Sequence, residues 1–139
     1  MTTKVSAKNL FKAIETYYNQ SSPVKISDLE NLFSKNFKLE RNGAVLSEGL
    51  SEYVTYVEKI RSRYSKAKFV LSNDEPIVSD NKMVVQYTMN LTTQSEVLNL
   101  SSRSQEKETS VVIMAIFTFE GEKVARWQQV ANEKGHTAL

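Results

Sequence analysis

Cysteine is missing from all 139 residues, so neither a disulfide nor a thiolate metal site can form. Histidine occurs once, at His136, three residues from the end. A zinc or non-haem iron centre would then rest almost wholly on carboxylates, against the preference of those metals, so no metal and no cofactor are expected. No stretch approaches the roughly 20 apolar residues of a membrane-spanning helix. The first twelve residues carry Lys4, Lys8 and Lys12 but no apolar run of signal-peptide length. A net charge of +2 is too small to imply a nucleic-acid partner. Three matches to the glycosylation pattern, at Asn19, Asn90 and Asn99, therefore read as chance. The expectation is a cytoplasmic protein that binds neither nucleic acid nor membrane.

What is present fits one domain over residues 1–139, with a core from about 8 to 133. Hydrophobic residues make up 40% and charged residues 24%, enough for an ordinary globular core. Leu10, Phe11, Ile14, Tyr17 and Tyr18 fall on one face of a helix that Pro23 stops. Ser27 to Glu30 has capping-box spacing and predicts a short second helix to about Phe33 or Ser34. Phe37 to Glu40 alternates, Asn42-Gly43 marks a tight turn, and Ala44 to Ser47 returns as a strand. From Leu50 a helical stripe runs through Tyr53, Val54, Val57, Ile60 and Tyr64. Lys59, Arg61, Arg63, Lys66 and Lys68 gather at its end, where the helix dipole favours cations. They read as a solvated helix end, with an anionic ligand as the rarer alternative.

After Lys68 the period becomes two. Phe69 and Leu71 alternate, Ile77-Val78 precede a turn at Asp80-Asn81, and Met83, Val85, Tyr87, Met89 and Leu91 form one apolar face. The methionines Met83, Met89 and Met114 read as gap-filling core. Residues 101–108 are polar and predict an exposed hairpin tip. Val111 to Phe119 is apolar on both faces, Glu120-Gly121-Glu122 turns the chain, and Lys123 to Ala131 is the last strand. The fold class is therefore α+β: three N-terminal helices packed on a strongly curved antiparallel sheet. A strand apolar on both faces needs two covers, and the helices supply one. The expected second cover is another copy of the chain, a homodimer through the outer sheet face.

Three helices, a hairpin before the third, and strands closing on Phe117-Thr118-Phe119-Glu120-Gly121-Glu122-Lys123-Val124 resemble the nuclear transport factor 2-like superfamily. Leu32-Phe33 after the second helix, the strand Phe37 to Arg41 and Gly49 before the third helix add to the likeness. That group includes ketosteroid isomerases and SnoaL-like polyketide cyclases. The resemblance implies a cone with an internal pocket, and its register turns Arg41, Tyr87, Ala115, Trp127 and Gln129 inward, with Ile14, Tyr17, Tyr53 and Val57 completing the wall. It also implies departures. The isomerase base, tyrosine and protonated aspartic acid correspond here to Arg41, Ile14 and Ala115, which can neither accept nor donate the required protons. The histidine–aspartate pair of the cyclases is missing as well. A one-residue slip would turn Glu40 inward as an acid/base.

Arg41 reads either as a cation for a carboxylate or enolate oxygen, or as a side chain that snorkels outward or pairs with Glu40 or Glu48. Tyr87, Trp127 and Gln129 read either as a polar-tipped aromatic site or as core with local hydrogen bonds. Three functions stay open. The first is a domain binding a small hydrophobic or partly anionic molecule in an aromatic-lined pocket. The second is an isomerase, cyclase or dehydratase using Glu40 or a tyrosine with Arg41. The third is a protein-interaction module.

Overall fold

A computed structural model of the chain describes residues 6–93 and 108–132. The expected hairpin tip at 101–107 and His136 lie outside the described residues. Helix α1 spans Ala7–Asn19 and starts where the Ser6 hydroxyl accepts the Asn9 N–H at 3.1 Å. Its face of Leu10, Phe11, Ile14, Tyr17 and Tyr18 is buried. Helix α2 is a single turn, Ile26–Leu29, closed by the Asp28 carboxylate accepting the Lys25 N–H at 3.4 Å. The helix is thus capped from Lys25 instead of Ser27, by the Asp28 carboxylate alone, and it ends before Phe33. That residue already belongs to β1, Phe33–Arg41, because its ring packs tilted against Phe37 (centroids 4.3 Å apart) and both are fully buried. Tertiary burial outweighs local helical spacing here.

Asn42 and Gly43, at φ 51° and 84°, turn the chain into β2, Ala44–Glu48. These two left-handed residues match the twist of the hairpin strands. Gly49 takes φ 87° and opens α3, Leu50–Arg63. The helix passes into β3, Tyr64–Leu71, with no residue between. The change expected after Lys68 therefore comes five residues early, and Lys66 and Lys68 are strand residues exposed on the sheet edge. Arg61 has a structural task. It donates to the carbonyls of Ser22 (3.0 Å) and Gln20 (2.5 Å), tying α3 to the chain after α1. The remaining strands are β4 (Ile77–Ser79), β5 (Lys82–Thr93), β6 (Glu108–Glu120) and β7 (Lys123–Ala131).

The sheet order is β2-β1-β7-β6-β5-β3, with β4 also paired to β5. All junctions are antiparallel except one: β1 runs parallel to β7, so the sheet is mixed. Alternation along a strand tells which face is buried but nothing about the neighbour's direction, which is why this junction was not legible in the sequence. Register shifts at Leu39/Glu40, between Phe33 and Lys38, and at Thr118/Phe119 bend the strands. The sheet curls around α1 and α3 without closing, as the two outermost strands, β2 and β3, do not pair.

Helix α1 also finishes the β3 edge. The Asn19 side chain accepts from the Ala67 N–H (2.9 Å) and donates to the Ala67 carbonyl (2.7 Å). One turn earlier, Glu15 accepts from the Phe69 N–H at 2.9 Å. Two side chains thus occupy ladder positions that would otherwise template another strand. Among the described residues no helix is long and apolar enough to cross a membrane.

Candidate functional site

Because side chains alternate along a strand, Leu39, Arg41, Trp127 and Gln129 point into the cone while Glu40, Arg126 and Gln128 point out. The β1–β7 register sets Leu39 beside Trp127 and Arg41 beside Gln129. Ala115 faces Gln129 and Val85, and Phe117 faces Trp127 and Met83, across the neighbouring strands. Trp127 is 1% exposed and Arg41 is 2% exposed.

Aromatic rings fill the cone. Trp127 stacks on Phe117 (5.0 Å), and Phe11 from α1 lies 4.5 Å from Tyr87 and 6.4 Å from Trp127. Tyr53 from α3 sits 5.0 Å from Phe37 and 5.1 Å from Phe33. Val57 and Ile14 are buried helix positions with no polar contribution.

Within this apolar interior the polar tips converge. The Arg41 Nε–H donates to Gln129 Oε1 at 2.8 Å, and an Nη2–H donates to the Tyr56 hydroxyl at 3.0 Å. The hydroxyls of Tyr18 and Tyr53 share a hydrogen bond at 3.3 Å. The Tyr87 hydroxyl and Trp127 Nε1 are buried and have no hydrogen-bond partner among the described residues. Burial pushes the phenols of Tyr18, Tyr53 and Tyr87 well above their ordinary range. For Tyr87 the adjacent Trp127 N–H opposes part of that rise, the two rings lying 6.5 Å apart. Tyr56 acts on the phenols of Tyr18, Tyr53 and Tyr87, and Tyr18 acts on those of Tyr53 and Tyr87, so these hydroxyl tips share one neighbourhood. At neutral pH Tyr18, Tyr53 and Tyr87 hold their protons. The cluster presents hydrogen-bond donors from one arginine, one indole and several phenols.

Two expected members stand elsewhere. Tyr17 donates to the Asp28 carbonyl at 3.0 Å and packs on Phe33, pinning α2 to α1 rather than joining the cluster. Glu40 lies on the outer face, where Arg126 grips it with two bonds, Nε–H to Oε2 at 2.5 Å and Nη2–H to Oε1 at 3.1 Å. The Arg126 hydrogen bond holds the Glu40 carboxyl below its usual range, opposite to what a general base needs. The slip that would bring Glu40 inward does not occur, because Leu39 is fully buried on the opposite face. Two members carry no sequence signal for this site. Tyr18 lies on the packing face of α1, and Tyr56 lies off the α3 stripe, although its i, i+3 spacing from Tyr53 allows the stacking seen at 6.3 Å.

Two expected results follow from this geometry. Removing an unpaired buried hydroxyl recovers its desolvation cost, so Tyr87→Phe should stabilise the ligand-free protein by about 1 kcal/mol. Urea unfolding followed by circular dichroism checks this, and a destabilised variant would show that the hydroxyl is satisfied. The second concerns acid. The folded-state pKa of Glu40 is depressed, so the pair's contribution is present above the unfolded value, near 4.5, and is lost as pH falls through the lower folded value. With the Arg126 side chain 45% exposed, solvent screening keeps that contribution small. Glu40→Gln should therefore cost stability at pH 7 and nothing at low pH. A gap between the variant and the parent that persists at low pH would contradict this.

Among the described residues no three histidine, cysteine or acidic side chains come together in a way that could hold a metal ion. No curated protein matches the chain in sequence. Similar solved structures share the architecture at low identity. TsrD from Streptomyces laurentii is 16% identical, with TM-score 0.66 over 98% of both chains. A nuclear transport factor 2-like protein of unknown function from Exiguobacterium is 12% identical, with TM-score 0.67 over 93% of this chain and 99% of its own. A Catenulispora acidiphila protein with a ketosteroid isomerase-like fold, in complex with trimethylamine, is 9% identical, with TM-score 0.64 over 90% and 85% of the two chains. At these identities the likeness establishes the fold. Residues 14–127 match the sequence pattern of the SnoaL-like domain, most of the chain's length. With the mixed sheet curled around α1 and α3, that match makes this chain a member of the SnoaL-like domain family.

Proposed function

We propose that the chain binds a small, largely apolar molecule through a carboxylate, enolate or carbonyl oxygen presented to Arg41, Tyr56, Tyr87 and Trp127. One observation carries this reading: two buried donors on adjacent side chains, Tyr87 and Trp127, have no partner among the described residues. Each such group costs roughly 1–3 kcal/mol, and a fold does not readily tolerate two together without return. A ligand acceptor would satisfy both, once the rings that fill the cone part to admit its apolar body. Tyr56 is half-buried and reaches the surface beside Leu46, Glu52, Thr55 and Lys59. Its phenol, bonded to Arg41, is the side chain that must move for access. With the phenols protonated and Glu40 turned outward, the cluster favours recognition over acid–base turnover.

Trp127 is the single tryptophan of the chain, so its emission reports directly on the site. Titration with aromatic carboxylates such as 1-naphthoate should produce a saturable change in that emission and a rise in melting temperature. If neither occurs across a panel of aromatic acids and polyketide-like molecules, the proposal fails.

We also propose that the outer sheet face is covered by a second copy of the chain. Val112 (57% exposed), Met114 (44%) and Val130 (65%) stand together there, with Met114 directly opposite Val130 in the β6–β7 register. Sedimentation should give twice the chain mass, and Val130→Glu should reduce it to one chain with the fold intact. A parent protein that sediments as a single chain at tens of micromolar would end this reading.

A further inference from the structure

Where α1's cover of the β3 edge stops, a groove of about 470 Å³ opens between the two elements. Its floor and wall are apolar, formed by Phe11, Phe69, Val70 and Leu71. Its rim carries Lys8 and Lys12, one helical turn apart on α1, and Lys68 on β3. Glu15 is the acid in the lining, and its carboxylate is already engaged by the Phe69 N–H. The rim thus holds three cations against one anion, over an apolar floor.

The strand register adds a further donor. Ala67 and Phe69 turn their N–H groups away from β5 and toward α1, while the Ser72 N–H bonds back to Gln86 of β5 at 3.0 Å. By the same alternation the Leu71 N–H points out of the sheet into the groove. The helix supplies an acceptor for the first two of these edge amides and none for the third.

From this charge complementarity and shape we infer that the groove binds a carboxylate-headed aliphatic amphiphile, its chain lying on Phe11 and Phe69 and its head among the three lysines and the Leu71 amide. Lysine suits a loosely oriented carboxylate, because its ammonium is a point charge on a flexible stem. An extended peptide fits less well, since β3 ends at Leu71 and leaves little edge for a ladder. The site is separate from the inner cluster, from which the rings of Phe11 and Phe69 divide it; these lie 4.5 Å and 5.9 Å from Tyr87.

Decanoate, below its micellar concentration, is the probe, titrated calorimetrically into the full chain at low salt. One saturable site per chain is expected, weakening several-fold as ionic strength rises. Each exposed ion pair is worth about two- to five-fold, so Lys8→Gln, Lys12→Gln and Lys68→Gln together should weaken binding about ten-fold or more. Decanol should bind correspondingly less tightly. Val70→Glu, at an exposed groove position, should abolish binding without harming the fold, as circular dichroism would confirm. Unchanged affinity in the triple-lysine variant would overturn the inference. So would loss of decanoate binding on Arg41→Gln, which would move the ligand into the cone. Tight binding to anionic vesicles with none to free decanoate would replace the amphiphile by a membrane surface and equally overturn it.

Discussion

Trp127→Ala is expected to remove about 3–5 kcal/mol of stability, the ordinary cost of deleting a buried aromatic ring. The indole is 1% exposed and touches Phe117, Phe11 and Tyr87, which belong to three different elements. No one of them can collapse into the space without leaving its own packing, so relaxation recovers little of the loss. Small domains have only about 5–15 kcal/mol in total, and the variant should be marginal at 37 °C. Urea unfolding followed by circular dichroism gives the number, since the substitution removes the fluorophore. The midpoint should fall with the slope unchanged. Trp127→Phe makes the informative contrast: it keeps a stacking ring against Phe117 and removes the unpaired indole N–H, so its cost should be well under half that of alanine. A loss below about 1 kcal/mol in the alanine variant would mean that the ring is not the keystone of the interior.

Period-two alternation from Met83 to Leu91 and the apolar run from Val111 to Phe119 placed β5 and β6 correctly, because those strands bury one face continuously. The Asn42-Gly43 turn was equally legible, since a two-residue hairpin demands left-handed residues that few sequences supply. Junctions were harder. Tyr64 continues the helical spacing of α3 and also begins the strand spacing of β3, and only the tertiary pairing of Tyr64 with Thr93 decides between them. Phe33 is similar: helical spacing from Ser27 reaches it, yet its ring is needed beside Phe37. The inward register of Arg41, Tyr87, Trp127 and Gln129 came from the family resemblance and agrees with the burial of all four. Tyr56 could not be read off, because it lies outside the apolar stripe. Its importance comes from a hydrogen bond to a residue 15 positions away.

The same bond makes Arg41 the position where ligand chemistry can be tested most sharply. Arg41→Gln should weaken binding of an aromatic carboxylate about 10- to 100-fold, the range expected when a charged donor to an anion is lost from a buried site. Glutamine can place its amide N–H where Nε donates to Gln129, while Tyr56 sits at the half-buried margin and can turn to solvent, so the fold should persist. Arg41→Lys keeps the charge but not the fork of donors that bonds Gln129 and Tyr56 at once, and should fall between the two. A neutral amide of the same aromatic acid separates the causes. If the guanidinium acts on ligand charge, the amide should bind the parent more weakly and lose little more on Arg41→Gln, giving a coupling of the size of the carboxylate's own loss. Because the phenols stay protonated through neutral pH, the profile for the carboxylate should be flat from about pH 6 to 9. Equal losses for acid and amide would assign Arg41 to holding the wall together, and the ligand's charge would then need another partner.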